Sequence, residues 1–202
     1  MTTIYVETNF VLELAFAQEQ AESCCQLLDL CDRGKVSIVL PAFSVGECFT
    51  TLARRISERR RLADVVSTER KQLSRSIETR TELTAVDSFI ALLIESLEAD
   101  KQRLDTTLNR LLAIASVIPL DKSVVINAAE HRSCFGLQHQ DSLVYSSVLH
   151  HLQTTPSHQS CFLNRNSKDF DDPDIIESFQ ALNCKMLFRF DHGLNHVISL
   201  LS

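Results

Sequence analysis

The chain has 202 residues, 45% of them hydrophobic, which is enough for a domain with a substantial core. We expect residues 1–202 to form a single domain. No apolar run reaches the ~18 residues of a membrane span, and no basic-then-apolar signal peptide opens the chain. We therefore expect a cytoplasmic protein with no membrane segment. The seven cysteines form no CxxC pair and mostly have apolar neighbours, which argues against a zinc site or a disulfide framework.

Basic residues concentrate in one segment of an otherwise acidic chain. Nine Lys and Arg residues lie between Arg54 and Arg80 against four acids, whereas the net charge of the chain is −6. This asymmetry is consistent with a binding place for an anionic partner. A solvated helical face that happens to be rich in arginine explains it equally well.

The first half of the chain alternates between strand and helix patterns. Residues 4–6 predict a strand, 10–32 a helix, 36–40 a buried strand, and a second helix begins near Ser44. The helical pattern then continues without a strong breaker, so we interpret 55–116 as a long helical insertion or arm.

The second half repeats the alternation. Its predicted elements are a helix at 121–134 ended by Gly136, a helix that begins near Asp141, a strand at 160–163, a polar loop at 164–170, a strand at 186–190 and a terminal helix from Asp191. Strands that alternate with helices predict an α/β fold with a central parallel sheet and helices on both faces.

Four carboxylates stand at the ends of these predicted elements, and each has an ordinary explanation. Glu7 is favourable beside a helix amino terminus, and Glu47 completes a Ser-x-x-Glu capping box with Ser44. Asp141 can be an N-cap, and Asp169 a turn residue. Taken singly, none of the four indicates a functional site.

Their shared position changes the interpretation. Glu7, Glu47 and Asp141 lie at strand ends or in first helical turns, and Asp169 follows a late strand, so a parallel sheet would bring all four to one edge. Like charges this close are costly unless a cation neutralises them. Oxygen ligands suit Mg²⁺ or Mn²⁺, which can activate water for attack on a phosphodiester.

Four motifs in order resemble the PIN-domain family, whose members are metal-dependent nucleases, many of them toxins of toxin–antitoxin pairs. The motifs are Tyr5-Val6-Glu7-Thr8-Asn9, Pro41-Ala42-Phe43-Ser44-Val45-Gly46-Glu47, Asp141-Ser142-Leu143-Val144 and Phe162-Leu163-Asn164-Arg165-Asn166-Ser167-Lys168-Asp169-Phe170. The resemblance covers roughly 1–55 and 117–190. It implies a three-layer α/β/α domain with Mg²⁺ or Mn²⁺ at Glu7, Glu47, Asp141 and a residue of the 164–169 loop. It also implies that Thr8 and Asn9 shape the site.

The sequence departs from the family pattern at two of these positions. The family usually has Asp at the first acid, and Glu7 moves its carboxylate by about 1.5 Å in a site where placement is critical. The last motif often has an acid where Asn166 stands, and Asn166 offers a carbonyl oxygen without charge. Asp169 is therefore the expected fourth acid, with Asn166 assisting.

The hypothesis from the sequence is a metal-dependent nuclease that cuts RNA without a covalent intermediate. Arginines after Glu47 are candidates to hold RNA phosphates, namely Arg54, Arg55, Arg59, Arg60 and Arg61. Glu7, Asn166 and the long arm favour an alternative, a PIN-like domain with weak or no catalysis that binds RNA or protein. An antitoxin-like protein partner and a homo-oligomer remain open hypotheses.

Overall fold

A computed structural model of the chain describes residues 2–76, 83–155 and 159–201. Its strands are β1 (Thr2–Val6), β2 (Val36–Pro41), β3 (Ser116–Ile118), β4 (Ser160–Leu163) and β5 (Cys184–Leu187). Its helices are α1 (Thr8–Ala15), α2 (Ala21–Asp32), α3 (Ala42–Leu73), α4 (Leu83–Ile114), α5 (Lys122–Phe135), α6 (His139–Thr154), α7 (Ser167–Phe170), α8 (Pro173–Gln180) and α9 (Phe190–Leu201).

The strands form one sheet in the order β3-β2-β1-β4-β5, and every pair is parallel. Side chains of β1 alternate between the two faces, so that Ile4 and Val6 join one hydrophobic core and Tyr5 joins the other. The first core also contains residues of α1, α2, α4 and α9, and the second contains residues of α6 and α8. The predicted three-layer α/β/α fold with a parallel sheet is confirmed.

The helix predicted over 10–32 is wrong, because the chain forms two helices there. Ala17 has a left-handed backbone with φ of 48°, and the residues from Phe16 to Gln20 make the turn between α1 and α2. The buried carboxylate of Glu13 accepts a hydrogen bond from the Gln20 backbone N–H at 2.5 Å. Since alanine is a good helix former, no local signal marks this break.

Four further elements differ from the prediction, the first of them α7, a helix of four residues within the polar loop predicted at 164–170. Strand β3 was not predicted; it has only three residues, two of them exposed, and forms through its pairing with Val39–Pro41 of β2. Helix α8 was not predicted either; Asp172 caps it and Pro173 opens it. The last strand was predicted at 186–190 and lies at Cys184–Leu187, where it pairs in register with β4.

Helices α3 and α4 have 32 residues each and pack against one another, over much of the stretch for which the sequence predicts a helical arm. We call this pair of helices the arm. Residues 77–82, between the two helices, lie outside the described part. Leu104, Leu108 and Leu111 of α4 are buried in the main core beside α1 and α2. The second half of α4 therefore belongs to the helical layer of the sheet.

Five of the seven cysteines lie in the protein interior. Their neighbours in the sequence are mostly apolar, and Cys24, Cys31, Cys48, Cys161 and Cys184 are buried free thiols. Among the described helices, none combines the length and the apolar character required to cross a lipid bilayer.

A buried carboxylate joins the two helices of the arm. Asp100 of α4 is 3% exposed and accepts from Arg59 Nη1 at 3.0 Å, while Arg55 Nε lies 3.1 Å from the same oxygen. Arg103 pairs with its other oxygen and also donates to the Ala15 carbonyl oxygen at 2.8 Å. Asp100 thus links α3, α4 and the end of α1.

We expect Asp100→Asn to lower the free energy of unfolding by about 2–3 kcal/mol, because three guanidinium groups would then share a site without an anion. Urea denaturation measures the difference. Asp105→Asn is the matched control, since Asp105 is exposed on the same helix and should change stability by less than about 0.5 kcal/mol. Equal effects of the two substitutions would contradict a structural role of Asp100.

Candidate active site

A cavity of about 380 Å³ opens at the carboxyl edge of the sheet. It lies near β1 and β4, the adjacent strands between which the direction of the strand order reverses. Four parts of the chain line it: the turn from β1 into α1, the start of α3, the start of α6, and the loop after β4. The lining residues that carry polar groups are Glu7, Thr8, Asn9, Glu47, Thr51, Arg54, Gln138, Gln140, Asp141, Asn164 and Asn166.

Glu7 follows β1 directly and is the N-cap residue of α1. Its Oε2 accepts a hydrogen bond from the Asn9 backbone N–H at 2.8 Å, whereas its Oε1 is buried and has no hydrogen-bond partner among the described residues. Burial raises the pKa of Glu7 to about 7, and the nearby negative charge of Glu47 adds to this increase. Helix capping therefore accounts for one oxygen of the carboxylate and leaves the other unexplained.

Glu47 does not form the capping box that its spacing from Ser44 suggests. Helix α3 begins at Ala42, with Pro41 as its N-cap residue, so Glu47 lies in the second turn. The Ser44 hydroxyl is buried and has no hydrogen-bond partner within the part of the chain that the structure describes. Instead, the Thr8 hydroxyl donates to Glu47 Oε2, which joins the first two sequence motifs across the cavity.

Asp141 is the third residue of α6 and not its N-cap, a position that Gln138 occupies. Partial burial raises the pKa of Asp141, and the charges of Asp169 and Glu47 add to the effect, while a hydrogen bond from Asn166 opposes it. The carboxylate thus lies in a cleft with like charges around it.

Asn166 bridges two of the predicted acids. Its Nδ2 lies 3.0 Å from Asp141 Oδ1 and 2.7 Å from Asp169 Oδ2. Asp169 lies in the short helix α7 and is not among the residues that line the cavity. The structure therefore connects Asp169 to the cavity through Asn166, and it presents the amide N–H of Asn166 to the acids, not the carbonyl oxygen expected from the sequence.

Asn164 is a site residue that the sequence analysis did not single out. It follows β4 directly, is 1% exposed, and accepts a hydrogen bond from the Asn166 backbone N–H at 2.7 Å. Its Nδ2 is buried and donates to no acceptor in residues 2–76, 83–155 and 159–201. A polar residue immediately after a fully buried strand, as Glu7 is after β1, is the signal that could have identified it.

The donor set of this cavity fits a hard divalent cation. Three carboxylates line it, one of them with a buried oxygen that lacks a partner, and oxygen ligands are those that Mg²⁺ and Mn²⁺ prefer. Within residues 2–76, 83–155 and 159–201, however, no three acidic, histidine or cysteine side chains converge as a ready-made ligand group. The three carboxylates line one cavity, but they do not converge on a single position.

The five arginines considered for RNA binding divide into two groups. Arg55 and Arg59 face Asp100 inside the arm, and the Arg55 guanidinium also lies 4.0 Å from the centre of the Phe16 ring. Arg54 is exposed and lines the cavity, while Arg60 and Arg61 are exposed farther along α3. The structure thus leaves three of the five facing solvent.

A match to a known sequence family agrees with the sequence motifs. A sequence model of the PIN domain matches residues 4–170, a span that includes the four acids. Among curated proteins, no sequence matches the chain. Among solved structures, the chain is similar to the crystal structure of VapBC2 from Rickettsia felis bound to a DNA fragment from their promoter. The two share 11% sequence identity, the match covers 92% of this chain and 97% of that chain, and the TM-score is 0.45.

Proposed function

Since the chain belongs to the PIN-domain family, whose members are generally nucleases, we propose that it is a Mg²⁺- or Mn²⁺-dependent endoribonuclease. The observation that carries the proposal is the cavity at the carboxyl edge of the sheet, whose wall includes Glu7, Glu47 and Asp141. Neither helix capping nor an ion pair within the described residues accounts for the second oxygen of Glu7.

In this proposal Glu7, Glu47 and Asp141 hold the cation, and Asp169 contributes through its hydrogen bond with Asn166. The bound cation would lower the pKa of water and neutralise the charge of the phosphodiester. The chain's own groups orient the acids: the Asn9 backbone N–H and the Thr8 hydroxyl fix Glu7 and Glu47, and Asn166 fixes Asp141. Arg54 at the cavity wall places its guanidinium where it can bind a phosphate oxygen.

The experiment is RNA cleavage by the purified chain with Mg²⁺, with Mn²⁺ and with EDTA, on a mixture of structured and unpaired RNA. We expect cleavage with either metal and none with EDTA. Asp141→Asn should lower the cleavage rate by on the order of 10²–10³-fold, because it removes one of three charges from the cation site. The amide keeps the size of the carboxyl group, so circular dichroism should show an unchanged fold.

Asp174→Asn is the control, because Asp174 lies in α8 and is absent from the cavity wall. Undiminished cleavage by Asp141→Asn would refute the site. No cleavage under any condition by a folded chain would favour the alternative, a PIN-like module without catalysis. Glu7→Asp would then be the first substitution to test, because it restores the acid that the family usually has at this position.

The proposal extends to a protein partner of antitoxin type and to self-association. Large apolar side chains are exposed on the arm, among them Leu62, Val65 and Leu92, with exposures of 45%, 57% and 62%. Leu62 and Val65 are three residues apart on α3, and exposed apolar side chains on one face of a helix are typical of protein interfaces. Light scattering of the chain alone, and of the chain co-expressed with the product of the adjacent gene, measures both associations. A monomer in both samples would contradict them.

A further inference from the structure

The arginines of α3 point in different directions, and this division bears on how substrate reaches the cavity. Glu47, Arg54 and Arg61 are spaced by seven residues, which is nearly two helical turns, so they lie within about 40° of one another on one face of α3. Glu47 and Arg54 both line the cavity, which identifies this face as the one that borders the site. Arg61 lies about 10 Å beyond Arg54 on the same face.

Neither Arg54 nor Arg61 takes part in an ion pair with any described residue, whereas Arg55 and Arg59 are held by Asp100. Arg54 and Arg61 are also exposed. Their guanidinium groups therefore keep their donors available for phosphate oxygens, while those of Arg55 and Arg59 stabilise the arm.

A continuous strand of phosphates fits this arrangement better than a single anion. The cavity volume of about 380 Å³ is near the lower end for small-ligand sites, so it admits part of one strand and not a duplex. A strand whose reacting phosphate lies in the cavity can continue outward along the helix and meet Arg61. Because few aromatic side chains accompany the arginines, the contacts would be with the backbone and independent of base sequence.

We propose that the α3 face carrying Arg54 and Arg61 binds the phosphate backbone of an unpaired RNA strand that leads out of the acidic cavity. This inference rests on the proposed nuclease function and adds the path of the substrate. In this proposal Arg54 and Arg61 bind the substrate, whereas Arg55 and Arg59 do not contact it. Glu58 lies on the same face between the two arginines and opposes binding by its charge.

The experiment measures the affinity of the full chain for a labelled unpaired RNA of about 12 nucleotides over a series of salt concentrations. The Asp141→Asn background with EDTA prevents cleavage. We expect Arg54→Gln and Arg61→Gln each to weaken binding and to reduce the slope of log K against log salt by about 0.7, because each removes one phosphate contact. Glu58→Gln should tighten binding.

Arg60→Gln is the matched control. Arg60 is exposed and carries the same charge, but it lies about 100° around α3 from Arg61, so its removal should leave the slope unchanged. A slope that falls as much for Arg60→Gln as for Arg61→Gln, or that does not change for Arg54→Gln and Arg61→Gln, would overturn the proposed path. In either case the nuclease proposal would stand if the chain with its original arginines binds RNA in a salt-dependent way and cleaves it in a metal-dependent way. Absence of both RNA binding and cleavage would overturn the two proposals together.

Discussion

Arg165→Ala is expected to lower the free energy of unfolding by about 3 kcal/mol and to impair cleavage as well, because it leaves a buried carboxylate without its counter-charge. The carboxylate is that of Glu13, whose side chain is 0% exposed and which pairs with the Arg165 guanidinium. Arg165 is 34% exposed, so we place the cost at the lower end of the range for a broken buried pair. Chemical denaturation measures it.

The Glu13–Arg165 pair lies between the core and the cavity. Glu13 also accepts from the Gln20 backbone N–H, and the Gln20 side chain accepts from the Phe190 backbone N–H at 2.6 Å, so α1, α2 and α9 meet there. Arg165 stands between Asn164 and Asn166, both of which line the cavity. Loss of the pair should therefore loosen the loop that holds Asn166 against Asp141.

A second arginine–carboxylate pair provides the control. Arg189 and Asp191 lie 2.6 Å apart with side-chain exposures of 55% and 36%, and an exposed pair of this kind contributes about 0–1 kcal/mol. Arg189→Ala should therefore change stability little. In the Arg165→Ala background, Glu13→Gln should recover part of the loss, because it removes the unpaired charge. Equal destabilisation by Arg165→Ala and Arg189→Ala, or no recovery, would contradict this account.

Glu7→Gln is expected to stabilise the metal-free protein above neutral pH while it abolishes metal-dependent cleavage. Burial raises the pKa of Glu7 from 4.5 to about 7. The ionised carboxylate is therefore less stable in the folded protein than in the unfolded chain, where water solvates it. We expect a stabilisation of roughly 3–4 kcal/mol at pH 8, because each pKa unit between 4.5 and about 7 corresponds to about 1.4 kcal/mol. The Gln side chain can still accept the Asn9 N–H and can donate toward Glu47.

The sign of the pH dependence follows from the raised pKa. Below about pH 4.5 Glu7 is protonated in both the folded and the unfolded protein, so it does not change the free energy of unfolding. Between pH 4.5 and about 7 only the unfolded chain loses the proton, so the free energy of unfolding falls as the pH rises. The difference between Glu7→Gln and the parent should therefore be near zero at pH 4.5 and largest above pH 7. Thermal unfolding in EDTA over this pH range measures it.

Glu95→Gln is the control for this comparison, because Glu95 is exposed on the arm and should give no pH-dependent gain. A constant difference between Glu7→Gln and the parent at all pH values would show that a contact other than the charge is responsible. A loss of stability by Glu7→Gln above pH 7 would contradict the burial penalty itself.

The sequence alone determined the class of fold and the common position of Glu7 and Asp141. Strand and helix patterns are local, with apolar runs at 4–6 and 36–40 and helical spacing between them, so they predict alternation and a parallel sheet. Once the sheet is parallel, the acid that follows β1 and the one at the start of α6 must lie near one edge. The placement of Glu7 and Asp141 at one cavity required no further information.

Only the tertiary structure decided what each side chain does there. Ser44 and Glu47 have the spacing of a capping box, but pairing of β2 with β3 extends the strand to Pro41 and starts α3 two residues before Ser44, which carries Glu47 into the cavity. Arg54 and Arg55 are neighbours in the sequence, yet packing of α4 places Asp100 against Arg55 and leaves Arg54 free to face the site. Such assignments depend on contacts between residues far apart in the chain, and local patterns do not encode them.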